Sequence, residues 1–95
     1  MPIIKFYSTF TFDNINVDTS NIDSECHTIS FENYGDDDCD LITNGTSRVL
    51  KAGASITLGG RDIEIICTDV FQISFAGVGT APGVNVDRET INLNE

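Results

Sequence analysis

Three aspartates at alternating positions, Asp36, Asp38 and Asp40, come nearest to a recognisable chemistry in this chain. A D-x-D-x-D run begins the calcium loop of an EF-hand, where carboxylates one residue apart converge on one cation. The match stops there. Leu41 stands where that loop needs glycine, Ser47 stands where it needs its bidentate glutamate, and no helical pattern flanks the run. The aspartates therefore read as a solvated acidic loop, or as an acidic patch facing a partner, ahead of a calcium site. A nucleophilic triad would have to use His27, the single histidine, which shares a strand face with Ile29 and Phe31 and so reads as packed and hydrogen-bonded. Acid–base work needs one carboxyl desolvated, whereas the acids here cluster in polar stretches where water keeps them ionised.

The remaining candidates are weaker. Cys26, Cys39 and Cys67 are an odd number with no CxxC pair, which speaks against a disulfide framework and a zinc knuckle; a reducing cytoplasm is the simpler fit, with one disulfide plus a free thiol as the alternative. Cys67 has no basic neighbour to stabilise a thiolate and reads as a small buried hydrophobe. The run from Gly77 to Gly83 resembles a phosphate-cradling loop in composition only, lacking both the lysine and the following helix. Asn44-Gly45-Thr46 is a glycosylation sequon with no signal peptide to support it. No catalytic residue, cofactor or metal ligand is assigned, and the chain is expected not to be an enzyme.

Size and charge bound what the elements can build. Ninety-five residues make one domain (1–95), with 84–95 as an extended C-terminal arm. Apolar residues are 40% of the chain, too many for disorder, so it folds. A net charge of −10 repels phosphate backbones and anionic lipid, which excludes nucleic acid and membrane surfaces as partners and favours a basic protein surface. No apolar run approaches the roughly 18 residues of a spanning helix.

Alternation with a period of two recurs along the chain and helical periodicity does not. Ile4, Phe6, Phe10 and Phe12 alternate with polar residues, predicting a first strand from Ile3 to Phe12 whose phenylalanines enter the core. Asp13 to Glu25 reads as a polar loop, with room for a short edge strand at Ile15–Val17. His27, Ile29 and Phe31 share one face of the next strand. Asn44-Gly45 between extended residues predicts a type I′ hairpin turn, with Thr43 opposite Thr46 and Leu41 opposite Arg48. The Leu41–Arg48 pairing is not a clean apolar face, so a bulge or an early end to the hairpin is expected there. Gly53 marks a second turn before Ile56-Thr57-Leu58. Ile63, Ile65 and Cys67 predict a strand over Arg61 to Thr68, joined by a tight turn at Thr68-Asp69 to a partner strand carrying Phe71, Ile73 and Phe75. In the last segment Val84 and Val86 fall on one parity and Ile91 and Leu93 on the other, which predicts a bend near Asp87-Arg88. The pattern is all-β: an antiparallel β-sandwich of seven to eight short strands, immunoglobulin-like, with a jelly roll or small barrel as the other arrangement. Without a reaction site such a domain works through loops, strand edges and arms, and the N-terminal strand and C-terminal arm are the segments placed to add to a neighbour.

Phe31-Glu32-Asn33-Tyr34-Gly35-Asp36, then Ile42-Thr43-Asn44-Gly45, then Leu50-Lys51-Ala52-Gly53-Ala54-Ser55-Ile56 resemble the small immunoglobulin-like sandwiches of tailed-bacteriophage structural proteins, of the crAss-like phage type. The resemblance covers residues 31–76 and its turn motifs are shared with many bacterial adhesion modules. It implies a virion structural protein, a capsid auxiliary (decoration), head-fibre or tail component. Such a protein binds a major capsid or tail protein, forms a homo-oligomer within the assembly, and resides in the virion after synthesis in the host cytoplasm. The alternative is an adhesin-type calcium- or carbohydrate-binding module, which the absence of tryptophan weakens on the sugar-stacking side.

Overall fold

A computed structural model describes residues 5–59, 66–75 and 81–94. Eight strands build it: β1 (Lys5–Ile15), β2 (Thr19–Asp23), β3 (Thr28–Asn33), β4 (Cys39–Thr43), β5 (Thr46–Leu50), β6 (Ser55–Gly59), β7 (Val70–Phe75) and β8 (Val84–Asn94). They form two four-stranded antiparallel sheets, ordered β1-β8-β3-β6 and β2-β7-β4-β5. The β-sandwich expected from the alternation is thus present, and the strand order decides its variety. Each strand of the first half pairs with its mirror image in the second, β1 with β8, β2 with β7, β3 with β6 and β4 with β5. One long hairpin rolled into two sheets is a jelly roll. An immunoglobulin sandwich keeps its first two strands in one sheet, whereas here β1 and β2 lie in different sheets.

The tip of the rolled hairpin is Asn44-Gly45, with φ of 50° and 73° as a type I′ turn requires. From it the β4–β5 ladder runs unbroken from Thr43–Thr46 through Leu41–Arg48 to Cys39–Leu50. Neither a bulge nor an early end occurs, because β5 is an edge strand: Leu50 enters the core while Arg48 stays exposed beside Leu41. An exposed arginine can lay its methylenes against apolar neighbours and keep its head in water. The ladder also survives the corner between sheets. Ile22–Phe71 is followed by the Ser24 amide donating to the Asp69 carbonyl (3.1 Å) and by Cys26 and Cys67 exchanging both amide bonds (3.2 and 2.8 Å).

Three sequence expectations are corrected by this topology. The polar stretch 13–25 is not a loop, since it carries the end of β1 and the whole of β2. That strand escapes notice because it sits at an edge, buries Ile22 alone, and holds a register irregularity where Asn21 adopts a φ of 60°. The partners of β7 are β2 and β4, not a strand over Arg61 to Thr68; Cys67 to Asp69 run beside Ser24 to Cys26 in place of a tight turn. Ile63 and Ile65, like Ile3, Ile4 and most of the Gly77–Gly83 run, lie outside the described residues. The bend predicted in the last strand does not interrupt its pairing: β8 stays in one register with β1 from Val84 to Asn94.

The inner faces meet in a core of Ile29, Phe31, Val84 and Val86 from one sheet and Ile22, Leu41, Phe71 and Ile73 from the other. Phe31 and Phe71 face each other across it, ring centroids 5.0 Å apart and tilted by 57°. Among the described residues Ser24, His27, Asn33 and Asp37 are the buried polar ones, and Asn33 is the deepest. Asn33, fully buried, donates through Nδ2 to the carbonyls of Asp37 (2.7 Å) and Leu50 (3.0 Å) and accepts the Gly35 amide on Oδ1 (3.1 Å). Its backbone meanwhile bonds Gly53 (2.7 Å) and Ala54 (2.9 Å). It therefore ties β3, the aspartate loop and the β5–β6 crossover together. Gly35 lets the aspartate loop approach the β7–β8 connection, since a Cβ there would stand 2.4 Å from the Ala81 carbonyl oxygen. Asn33→Ala takes their side-chain donor from the Asp37 and Leu50 carbonyls, while the Gly35 amide keeps the Gly83 carbonyl (3.2 Å). It is expected to lower unfolding free energy by about 3 kcal/mol in chemical denaturation, whereas an exposed asparagine such as Asn16→Ala changes it by less than about 0.5 kcal/mol.

Candidate functional site

The aspartates do not converge. Asp36 accepts the Ala81 amide (2.9 Å), Asp38 accepts the Ala52 amide (2.9 Å), Asp37 is buried, and Asp40 points to solvent from β4. Two of the three carboxylates of the D-x-D-x-D run therefore fasten the loop to two different connections of the fold. Among the described residues no group of three or more His, Cys, Asp or Glu side chains could hold a metal ion. His27 is buried at the corner where β8 leaves β3; its Nδ1 accepts the Ile91 amide (3.0 Å) and its own amide donates to the Glu89 carbonyl (2.9 Å). An accepting Nδ1 puts the ring proton of the neutral imidazole on Nε2. Cys26 and Cys39 are buried, while Cys67 is half-buried rather than deep in the core, and all three are free. Burial pushes the Cys26 thiol up, with the nearby Cys67 adding to the effect. Cys39 is raised to about 11 by burial first and by Asp40 and Asp38 next.

The surface that stands out is the outer face of the β1–β8 edge. Val84 and Val86 of β8 face the core, and Ile15 and Asp13 of β1 stand opposite them, so the odd positions of β1 point inward and the even ones outward. Phe6, Phe10 and Phe12 are even. They are 58%, 58% and 71% exposed, against the expectation that they fill the core. The alternation revealed that β1 has an apolar face; which side of the sandwich that face takes depends on the register with β8. Phe10 and Phe12 lie parallel, centroids 6.2 Å apart and planes within 3°.

The same register explains the change of parity in β8. Val84 and Val86 serve the core, whereas Ile91, half-buried, lies on the outer face beside the phenylalanine stripe. That switch was the one sequence signal that the apolar side of the ribbon changes layer. The neighbouring outward positions are acidic or neutral: Phe10 stands opposite Glu89 and Phe12 opposite Asp87, and Glu32 of β3 follows in the next strand. Glu89 accepts the Ser8 hydroxyl (2.7 Å), and Asn14 links Asn85 (3.1 Å) to the Tyr34 hydroxyl. Arg88 points to the inner side, paired with Asp13 and bonded to the Asp23 carbonyl (2.8 Å). Among the described residues no lysine or arginine takes an outward position on this sheet, so the face is aromatic at its edge and anionic behind it.

Part of the ribbon leaves the sandwich altogether. β3 accompanies β8 only as far as Glu89, so Thr90–Asn94 pair with Lys5–Thr9 alone. Five residues of strand span about 17 Å. The protein is accordingly long, 59 × 24 × 18 Å, with a radius of gyration of 15.1 Å where a compact chain of its size has about 12 Å. No protein-family model matches the chain, and no curated protein is significantly similar to it in sequence.

Two measurements follow. Phe12→Ala is expected to change unfolding free energy by less than about 0.5 kcal/mol, whereas Phe31→Ala costs about 3–5 kcal/mol; equal losses in denaturant titrations would place the stripe in the core after all. The Cys39 thiol holds its proton more tightly in the fold than in the unfolded chain, whose value is 9.0. Its contribution is therefore complete below pH 9.0 and lost as pH rises through about 11, so unfolding midpoints should fall over that window and Cys39→Ser should flatten the fall.

Proposed function

We propose that this chain is a non-enzymatic structural protein of a bacteriophage virion, an auxiliary or decoration component that docks on a larger virion protein through the outer face of β1 and β8. The observation that carries the docking is the exposed stripe of Phe6, Phe10 and Phe12. Three aromatic side chains on one face, rimmed by polar groups, keep apolar area in water that a partner would cover, and aromatic residues dominate the buried centres of protein interfaces. The carboxylates of Glu32, Asp87 and Glu89 behind the stripe suit a partner surface carrying lysine or arginine around an apolar centre.

The virion setting rests on the resemblance of residues 31–76 to the small immunoglobulin-like sandwiches of phage structural proteins, whose strand order this fold does not share. The jelly-roll order agrees with it by analogy, since viral capsid domains use this architecture, as lectin and cupin domains also do. Assembly in the host cytoplasm suits three unpaired thiols. Peptide mass spectrometry of purified particles is expected to find the chain in fixed proportion to the major virion protein. A variant carrying Phe6→Ser, Phe10→Ser and Phe12→Ser should fold with an unchanged melt yet be lost from particles, each ring being worth about 2 kcal/mol of docking. Absence of the chain from particles overturns the virion reading, and full incorporation of the triple variant overturns the docking face.

A further inference from the structure

We propose that the free edge of β1 pairs with the same edge of a second copy of this chain, antiparallel, about a two-fold axis through Thr9. The inference builds on the docking face, because such pairing joins the two phenylalanine stripes into one symmetric patch.

The edge itself is the first observation. A strand at the end of a sheet offers a row of unpaired amides and carbonyls, and folded proteins protect such rows with shortness, bulges, proline or charge. The other three edges are protected. β5 and β6 are five residues long, β5 carries Arg48, and β2 is short and irregular at Asn21. β1 is eleven residues long, keeps an unbroken register with β8, and has no charge, proline or glycine between Phe6 and Phe12. Its outer edge meets no other strand among the described residues.

The occupant follows from the order of residues along that edge. Centring the pair on Thr9 sets Lys5 opposite Asp13 of the second copy, Phe6 opposite Phe12, Tyr7 opposite Thr11 and Ser8 opposite Phe10. Lys5 thus meets the acidic end of the strand, where Asp13 already pairs with Arg88 of its own chain, no like charges are opposed, and every phenylalanine stays on one face beside an aromatic or small neighbour. Cross-strand pairs of these kinds stabilise antiparallel sheets, and like charges directly opposed destabilise them. A two-fold axis perpendicular to the sheet keeps outer face with outer face. Shifting the axis to Ser8 or Phe10 loses the Lys5–Asp13 pairing.

Charge sets the salt dependence. Two copies of net charge −10 repel over a Debye length, so added salt should tighten this association, whereas a basic partner on the anionic face would be loosened by it. Sedimentation velocity of the full chain, over a series reaching about 0.5 mM, should reveal a dimer that strengthens with sodium chloride. Thr9→Lys sets two lysines against each other on the axis and should weaken the dimer about tenfold or more without changing the melt. Thr9→Cys, treated with oxidised glutathione, should give a covalent dimer linked through position 9, whereas Tyr7→Cys alone should not, because position 7 faces position 11. A chain that stays monomeric at every concentration and salt overturns the proposal, as does a dimer indifferent to Thr9→Lys or one linked through Tyr7→Cys. A monomer that still enters particles leaves the docking face standing and removes the self-pairing alone.

Discussion

Mirror pairing is the constraint from which the rest of this structure descends. Once Asn44-Gly45 turns the chain back on itself, every strand of the first half lies against its counterpart in the second, and the ladder carries through the corner at Cys26 and Cys67. Rolling that hairpin brings β8 against β3 and β7 against β4, closing two sheets over one core. A tip that could not take positive φ at both central residues would shift the register of β4 on β5, and a shift of one residue exchanges inner for outer faces.

Rolling creates a problem that side chains must solve. The connections that change sheets carry backbone groups no ladder can satisfy, and a buried unpaired amide or carbonyl is costly. Asn33 answers it at one end of the sandwich by serving the Asp37 and Leu50 carbonyls and the Gly35 amide. At the other end the ladder itself reaches the corner, and the buried Ser24 hydroxyl adds a shared bond to the carbonyls of Cys67 (3.0 Å) and Asp69 (2.8 Å), which already accept the Cys26 and Ser24 amides. The aspartates of the acidic loop belong to the same system, holding the amides of Ala81 and Ala52. What reads in sequence as ligand chemistry is, in the fold, loop fastening.

The ends of a mirror-paired chain necessarily lie together, in one sheet, at its edge. Here those two strands are the longest, and the excess length has no core to lie on. Their apolar residues divide between the two layers: Val84 and Val86 face in where the second sheet covers them, while Phe6, Phe10, Phe12 and Ile91 lie on the outer face. A ribbon built in this way exposes an aromatic face without weakening the interior, since none of the exposed rings packs in the core.

The sequence by itself determined the local geometry. The period of two, the Asn44-Gly45 turn with its register, the shared inner face of His27, Ile29 and Phe31, and that of Phe71, Ile73 and Phe75 were all legible, because each depends on neighbours a few residues apart. The strand β2 was not legible, since an edge strand with one buried residue has almost no alternation to read. Choosing the jelly roll over an immunoglobulin order, the partners of β7, and the side of the sandwich that receives the β1 phenylalanines belonged to the tertiary structure alone. The physical reason is common to all three: alternation states that a strand has two unlike faces, but only its pairing with a strand distant in sequence decides which of them meets the core and which meets water.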